Sequence, residues 1–242
     1  MIKKLLFFFL IVFSGGLGGV VLPNLLSPVV SRIPFLQRFN LSGSGDQTVI
    51  VQKTEHVVVE QFEVAQRAYV RNIPSFVSVR SSRGNAVVSS GFGFMVGSDG
   101  SVLTRREWVN APGSAVSVVR GSDAFSAEVI KKSDENGLAL LKIKASNLPV
   151  VSFARAQPGM GMPVFILGTK QGVSGPVHFM NKGIVKSVDG VLIETNIKED
   201  PALATGIPLL DFNGDVVGIT SVNSSGYVFA ISAEAITNFL RN

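Results

Sequence analysis

Two sets of six short strand-like runs, parted by one turn-rich break, constrain this chain more than any other feature. From Phe76 onward, runs rich in Val, Ile, Phe and Thr recur every 8 to 15 residues, at 76–79, 86–96, 101–104, 115–119, 125–130 and 138–143. A break at 154–161 follows, where Gln157, Pro158 and Gly159 mark a turn. The second set covers 164–167, 177–188, 191–195, 209–211, 216–221 and 227–231. Asp99-Gly100, Asp189-Gly190 and Asn213-Gly214 each stand between two runs, as hairpin dipeptides do. This rhythm predicts an all-β body, either two packed barrels or a sandwich. Short helices should flank it. One spans 61–71, with Phe62, Ala65 and Ala68 on one side, and stops before Pro74. The other spans 233–240, with Ile236, Phe239 and Leu240 able to pack on the body.

Composition fits that reading and narrows the chemistry. Hydrophobic residues make up 46% and charged residues 16% of the 242, so a core can form and disorder is not expected. There is no cysteine, which removes disulfides, a thiolate nucleophile and a thiolate zinc site. His56 and His178 are the only histidines, so a multi-histidine metal centre is not expected and no cofactor is implied. The net charge of +5 is scattered, with no basic stripe, and no nucleic-acid partner is expected.

The first 61 residues read differently from the body. Lys3 and Lys4 (within a cytoplasmic 1–4) precede an uncharged run over 5–22 that includes Phe7, Phe8, Phe9 and Phe13. About 18 to 20 apolar residues cross a bilayer as a helix, and the run reaches that length. An uncleaved transmembrane anchor is expected, with the lysines inside and the body outside the cytoplasm. A cleaved signal peptide, with Ser14-Gly15-Gly16 as a weak site, and a buried core helix are the alternatives. Residues 23–61 form a spacer with Pro23, Pro28, Pro34 and Ser42-Gly43-Ser44-Gly45. Within it, 48–60 alternates in part and suits a short strand or a self-association segment, with His56 exposed among charges.

Three stretches of the body carry more than periodicity. They are Ser90-Gly91-Phe92-Gly93-Phe94-Met95-Val96 with Asp99-Gly100-Ser101-Val102-Leu103-Thr104, then Asn136-Gly137-Leu138-Ala139-Leu140-Leu141-Lys142-Ile143, then Pro208-Leu209-Leu210-Asp211 to Gly214-Asp215-Val216-Val217-Gly218-Ile219. In this order and spacing they resemble trypsin-like serine proteases of the HtrA (high-temperature-requirement) type, across residues 62–242. The resemblance implies a trypsin-like double six-stranded antiparallel β-barrel with the active site between the barrels. It also implies a Ser-His-Asp triad, in which histidine deprotonates serine, aspartate orients the histidine, and backbone N–H groups hold the oxyanion.

Carried over position by position, the triad is altered. Glu107 follows Leu103-Thr104-Arg105-Arg106 where the histidine would stand, and an ionised glutamate is a poor base for a hydroxyl. Gly137 precedes the Leu-Ala-Leu-Leu run where the aspartate would stand; Asp134 and Glu135 lie close but out of register. Counting back from Pro208 puts Thr205 at the serine, and counting forward from Asp200-Pro201 puts Ala204 there. Leu203 replaces the glycine of the oxyanion turn, where a positive φ would be disfavoured. Thr205 could act as a nucleophile only beside a base, and His178, the one histidine of the body, reads as a strand residue.

No catalytic residues and no metal ligands are therefore expected. The resemblance implies a pseudoprotease that keeps a cleft, with Trp108, Leu203 and Gly206 lining it. Its expected ligand is an unfolded or extended peptide or protein, or an active paralogue, with strand addition at an exposed barrel edge as one route. Trp108 could equally serve as core packing. The alternatives are an active serine-type endopeptidase and an assembly role through self-association. Since Asn242 follows directly on the last helix, the C-terminal PDZ domain of many relatives is not expected.

Overall fold

The structure, a computed structural model, describes Val64 and residues 66–242. The expected anchor at 5–22, the spacer, the 48–60 segment and His56 lie outside the described residues. Among the described residues no helix is long and apolar enough to cross a membrane.

A helix at residues 66–72 (α1) gives way to a 3-10 turn, Ile73–Ser75, with Pro74 in its first positions. Proline at the start of a turn loses no hydrogen bond, because that N–H has no helical partner anyway. Six strands follow: β1 (Phe76–Arg83), β2 (Ala86–Gly97), β3 (Ser101–Arg105), β4 (Ala115–Arg120), β5 (Asp123–Ser133) and β6 (Leu138–Ile143). The second six are β7 (Pro163–Gly172), β8 (Gly175–Asp189), β9 (Leu192–Lys198), β10 (Pro208–Asp211), β11 (Val216–Val222) and β12 (Tyr227–Ser232). Each set closes into its own antiparallel barrel, in the orders β1-β2-β3-β6-β5-β4 and β10-β11-β12-β9-β8-β7. Closure decides between barrels and sandwich. Every strand falls where the sequence places one, and the strands mostly run longer than the apolar pattern, since pairing continues after alternation fades.

The three hairpin dipeptides all turn chains between paired strands, with Gly100, Gly190 and Gly214 at positive φ (+96°, +56° and +75°). Between strands 9 and 10 a short helix, α2 (Pro201–Ala204), is inserted, and the chain ends in α3 (Ala233–Arg241). Ser232 caps α3 by accepting from the Ala235 N–H.

Each barrel has its own apolar interior, and a third cluster joins them. Phe94, Leu103 and Leu138 from the first barrel meet Phe165, Leu210 and Ile219 from the second, with Ile236 and Phe239 of α3. Burying each such side chain contributes roughly 1.5–3 kcal/mol, so the barrels are held as one body. The terminal helices cross over to strengthen this. Asn72 of α1 donates to the Gly214 carbonyl at 2.9 Å, and Lys131 of β5 donates to the Phe239 carbonyl of α3 at 2.6 Å.

Candidate functional site

Glu107, Gly137 and Thr205, the residues read from the sequence at the triad positions, lie on segments that follow β3, precede β6 and precede β10. The first is the 3-10 turn Arg106–Val109, directly after β3. Its Arg106 N–H donates to the Gly137 carbonyl at 2.9 Å, tying it to the β5–β6 connection. Glu107 on this turn is exposed. Asp134 makes a 2.6 Å ion pair with Arg106 at the surface, so the nearest spare carboxylate is engaged there.

Gly137 adopts φ +60°, a conformation that disfavours any side chain. A Cβ at this position would stand 2.7 Å from the Arg105 guanidinium. A cation thus occupies the space beside Gly137, with its Nη1 donating to the Asn136 carbonyl at 2.9 Å. Burial pushes Arg105 below the usual guanidinium range, and the nearby Glu107 charge works the other way. Its Nε is buried without a partner.

The segment around Thr205 is ordered by α2. Asp200 caps it, accepting from the Ala202 N–H at 2.8 Å, and Pro201 follows at its first position. Inside this single turn the Leu203 and Ala204 N–H groups donate to the Asp200 carbonyl at 2.9 and 3.0 Å, and the Thr205 N–H donates to Pro201 at 3.1 Å. Leu203 therefore needs no positive φ; Asn147 is the only non-glycine with one among the described residues. Ala204 is fully buried, and Thr205, on the helix C-cap, is 3% exposed. Thr220 fastens the segment from below, its hydroxyl bonded to the Ala204 and Ile207 carbonyls. An oxyanion hole needs the N–H groups of the nucleophile and of the residue two before it to be free. Here both are taken by backbone carbonyls.

Trp108 closes the junction. A Cβ on Gly91 would come within 2.2 Å of its ring, and a Cβ on Gly206 would meet its Nε1 at 3.2 Å and the Phe92 carbonyl at 2.4 Å. Gly206 itself holds φ +92°. Of the three cleft residues read from the sequence, Trp108 and Gly206 are therefore in contact, while Leu203 is half-buried within α2. The Trp108 Nε1 is buried with no acceptor, and its carbonyl accepts from Ser81 at 2.6 Å.

His178 sits on β8 opposite Thr169 of β7, exposed, with 2.9 Å between its Nδ1 and the threonine hydroxyl. The Tyr69 ring meets it edge-on at 5.6 Å. His178 opens on a groove that Ile207 lines and Thr205 does not. The structure makes no hydrogen bond between Thr205 and His178. Sequence reasoning missed α2, although aspartate followed by proline is a helix-start signal. It also missed Arg105, which no local pattern marks.

Known proteins share this architecture. The trypsin-like peptidase domain profile matches residues 91–219. A protein of Pseudomonas putida named as a probable periplasmic serine endoprotease, DegP-like, is 30% identical over 163 residues, covering 63% of this chain and 33% of that protein. A protein of the same name from Halomonas elongata is 27% identical over 64% of this chain and 35% of its own length. The chain thus spans about a third of the length of these relatives. The crystal structure of the serine endoprotease from Yersinia pestis superposes with a TM-score of 0.64 at 23% identity, covering 73% of this chain and 65% of that one, a likeness of fold. With barrels, motif order and profile in agreement, the chain belongs to the trypsin-like peptidase domain family, and its relatives are of the HtrA/DegP type.

Proposed function

We propose that this chain is a catalytically inactive, extracytoplasmic member of that family which binds peptide or protein without cleaving it. The observation that carries the reading is the state of the 200–206 segment. The Leu203 and Thr205 N–H groups are consumed inside α2, so charge developing on a bound carbonyl would find no paired donors. Residue chemistry supports it independently. Glu107, Gly137 and Thr205 (or Ala204 in the other register) replace histidine, aspartate and serine. Loss of such groups as a set removes most of the rate acceleration.

Export and tethering rest on the N-terminal sequence, whose lysines and uncharged 5–22 run favour a single-pass anchor with the body outside. The periplasmic designation of the DegP-like relatives supports the same side of the membrane. A second reading, an active serine-type endopeptidase, is favoured by the designation of those relatives as endoproteases. It would need α2 to unwind and free its N–H groups.

The test is to incubate the full chain with an unfolded protein and a serine-hydrolase probe, alongside Thr205→Ala and His178→Ala. Saturable binding with no new fragments is the expected result. Fragmentation or probe labelling that either substitution abolishes would establish the endopeptidase instead. Absence of both binding and cleavage would leave an assembly role through self-association.

A further inference from the structure

Away from the junction sealed by Trp108, a cleft of about 810 Å³ stays open between the barrels. Strand β1 and the β4–β5 turn contribute one part of its lining, and the β7–β8 ribbon another. Two features of its lining are independent of the altered triad.

The first is an unpaired strand edge. β10 pairs with β7 only at Val164, Phe165 and Ile166, and it begins at Pro208, which has no N–H to offer. Among the described residues, β7 from Gly168 to Gly172 has β8 on one side and no strand on the other. Gly168, Thr169 and Lys170 of this stretch line the cleft. Both barrels are otherwise closed, so this is a place where backbone groups of a barrel strand stand ready for a further strand.

The second is charge. Arg80 of β1, Arg120 at the end of β4 and Lys170 of β7 face the cleft with Asp123 as the single carboxylate. Among the described residues no ion pair or side-chain hydrogen bond engages any of the three cations. Phe76, Phe92 and Ile207 supply apolar surface between them.

We infer that this cleft takes an extended acidic peptide segment, added as a strand to the open edge of β7. The assignment deepens the binding reading above and rests on it. Strand addition supplies main-chain hydrogen bonds whatever the sequence, while side-chain contacts select among sequences. Three cations facing one carboxylate select for glutamate and aspartate, and the two arginines can each hold a carboxylate with paired N–H groups.

The test uses the full chain and two fluorescent ten-residue peptides, one alternating Val with Glu and one alternating Val with Lys. At about 0.1 M salt, where charge selection survives screening, the Glu peptide should bind at least tenfold tighter. An Arg80→Glu/Arg120→Glu variant, its fold checked by its melting profile, should reverse that order. Methylating alternate backbone nitrogens of the Glu peptide should weaken binding at least tenfold in the unaltered chain, which involves no folding risk. Equal affinity for the two peptides, indifference to methylation, or equally tight binding of a single-stranded oligonucleotide would overturn the assignment. An unfolded protein bound saturably and left intact, with no preference for the Glu peptide, would overturn it while leaving the binding reading in place. Cleavage abolished by Thr205→Ala would overturn the binding reading itself.

Discussion

The same two barrels face each other at the Trp108–Gly206 contact and along β7 beyond Ile166, and the two places are built on opposite rules. At the first, a ring fills the gap, glycines at 91 and 206 make room for it, and the backbone donors around Thr205 are paired. At the second, among the described residues, a strand edge has no neighbour and three cations make no ion pair. A site kept for turnover leaves donors free where charge will develop. Here the N–H groups of Leu203 and Thr205 are paired inside α2, while β7 from Gly168 to Gly172 pairs with β8 alone among the described residues.

The sharpest break of this comparison is Trp108→Ala. If the ring holds the junction closed, its removal should cost about 3 kcal/mol in urea unfolding, and a cost under about 1 kcal/mol would mean the junction is loosely filled. Trp108→Phe should cost far less, because it also removes a buried donor that has no acceptor. Gly206→Ala comes next, at about 2 kcal/mol, since φ +92° and the Phe92 carbonyl both oppose a Cβ. Gly137→Ala should cost about 1 kcal/mol, the usual penalty of a left-handed residue, because the obstructing Arg105 group is the end of a flexible side chain.

Two smaller effects fall outside the sealed junction. Asp99 lies in the β2–β3 hairpin, and its hydrogen bonds from Lys142 and Ser101 lower its carboxyl pKa to about 2. That is below the unfolded value of about 3.9, so the stabilisation is complete above it and fades as pH falls toward 2. The pair is exposed, so Asp99→Asn should lose only about 0.5 kcal/mol at neutral pH and match the parent chain near pH 2 in acid unfolding. Lys170→Ala should shift stability least, within about 0.5 kcal/mol, while weakening acidic-peptide binding. A large stability loss there would show that the open edge is structurally engaged after all.

Much of the fold is legible in the chain because its signals are local. The Val-rich alternation of 115–119 and the Asn213-Gly214 turn need only their neighbours to declare strand and hairpin. The triad positions were read for a similar reason, from their offsets to motifs, with Thr205 and Ala204 left as alternatives because two offsets differ by one residue. What those residues do was not. Leu203 looked like a misfit for an oxyanion turn, whereas Asp200 and Pro201 start a helix in which it has ordinary φ. Asp134 was read as out of register, and the partner that holds it at the surface, Arg106, is visible only in the structure.

The sequence by itself determined two sets of six strands and their turns, and the motifs from which Glu107, Gly137 and Thr205 or Ala204 were read. Periodicity, turn chemistry and residue identity act over a few residues and survive in one dimension. Only the tertiary structure decided that the sheets close, that Trp108 meets Gly206 across the junction, and that β7 outruns β10 to leave an edge beside Arg80 and Arg120. Those outcomes depend on contacts between residues far apart in the chain, set by how two packed barrels share one interface.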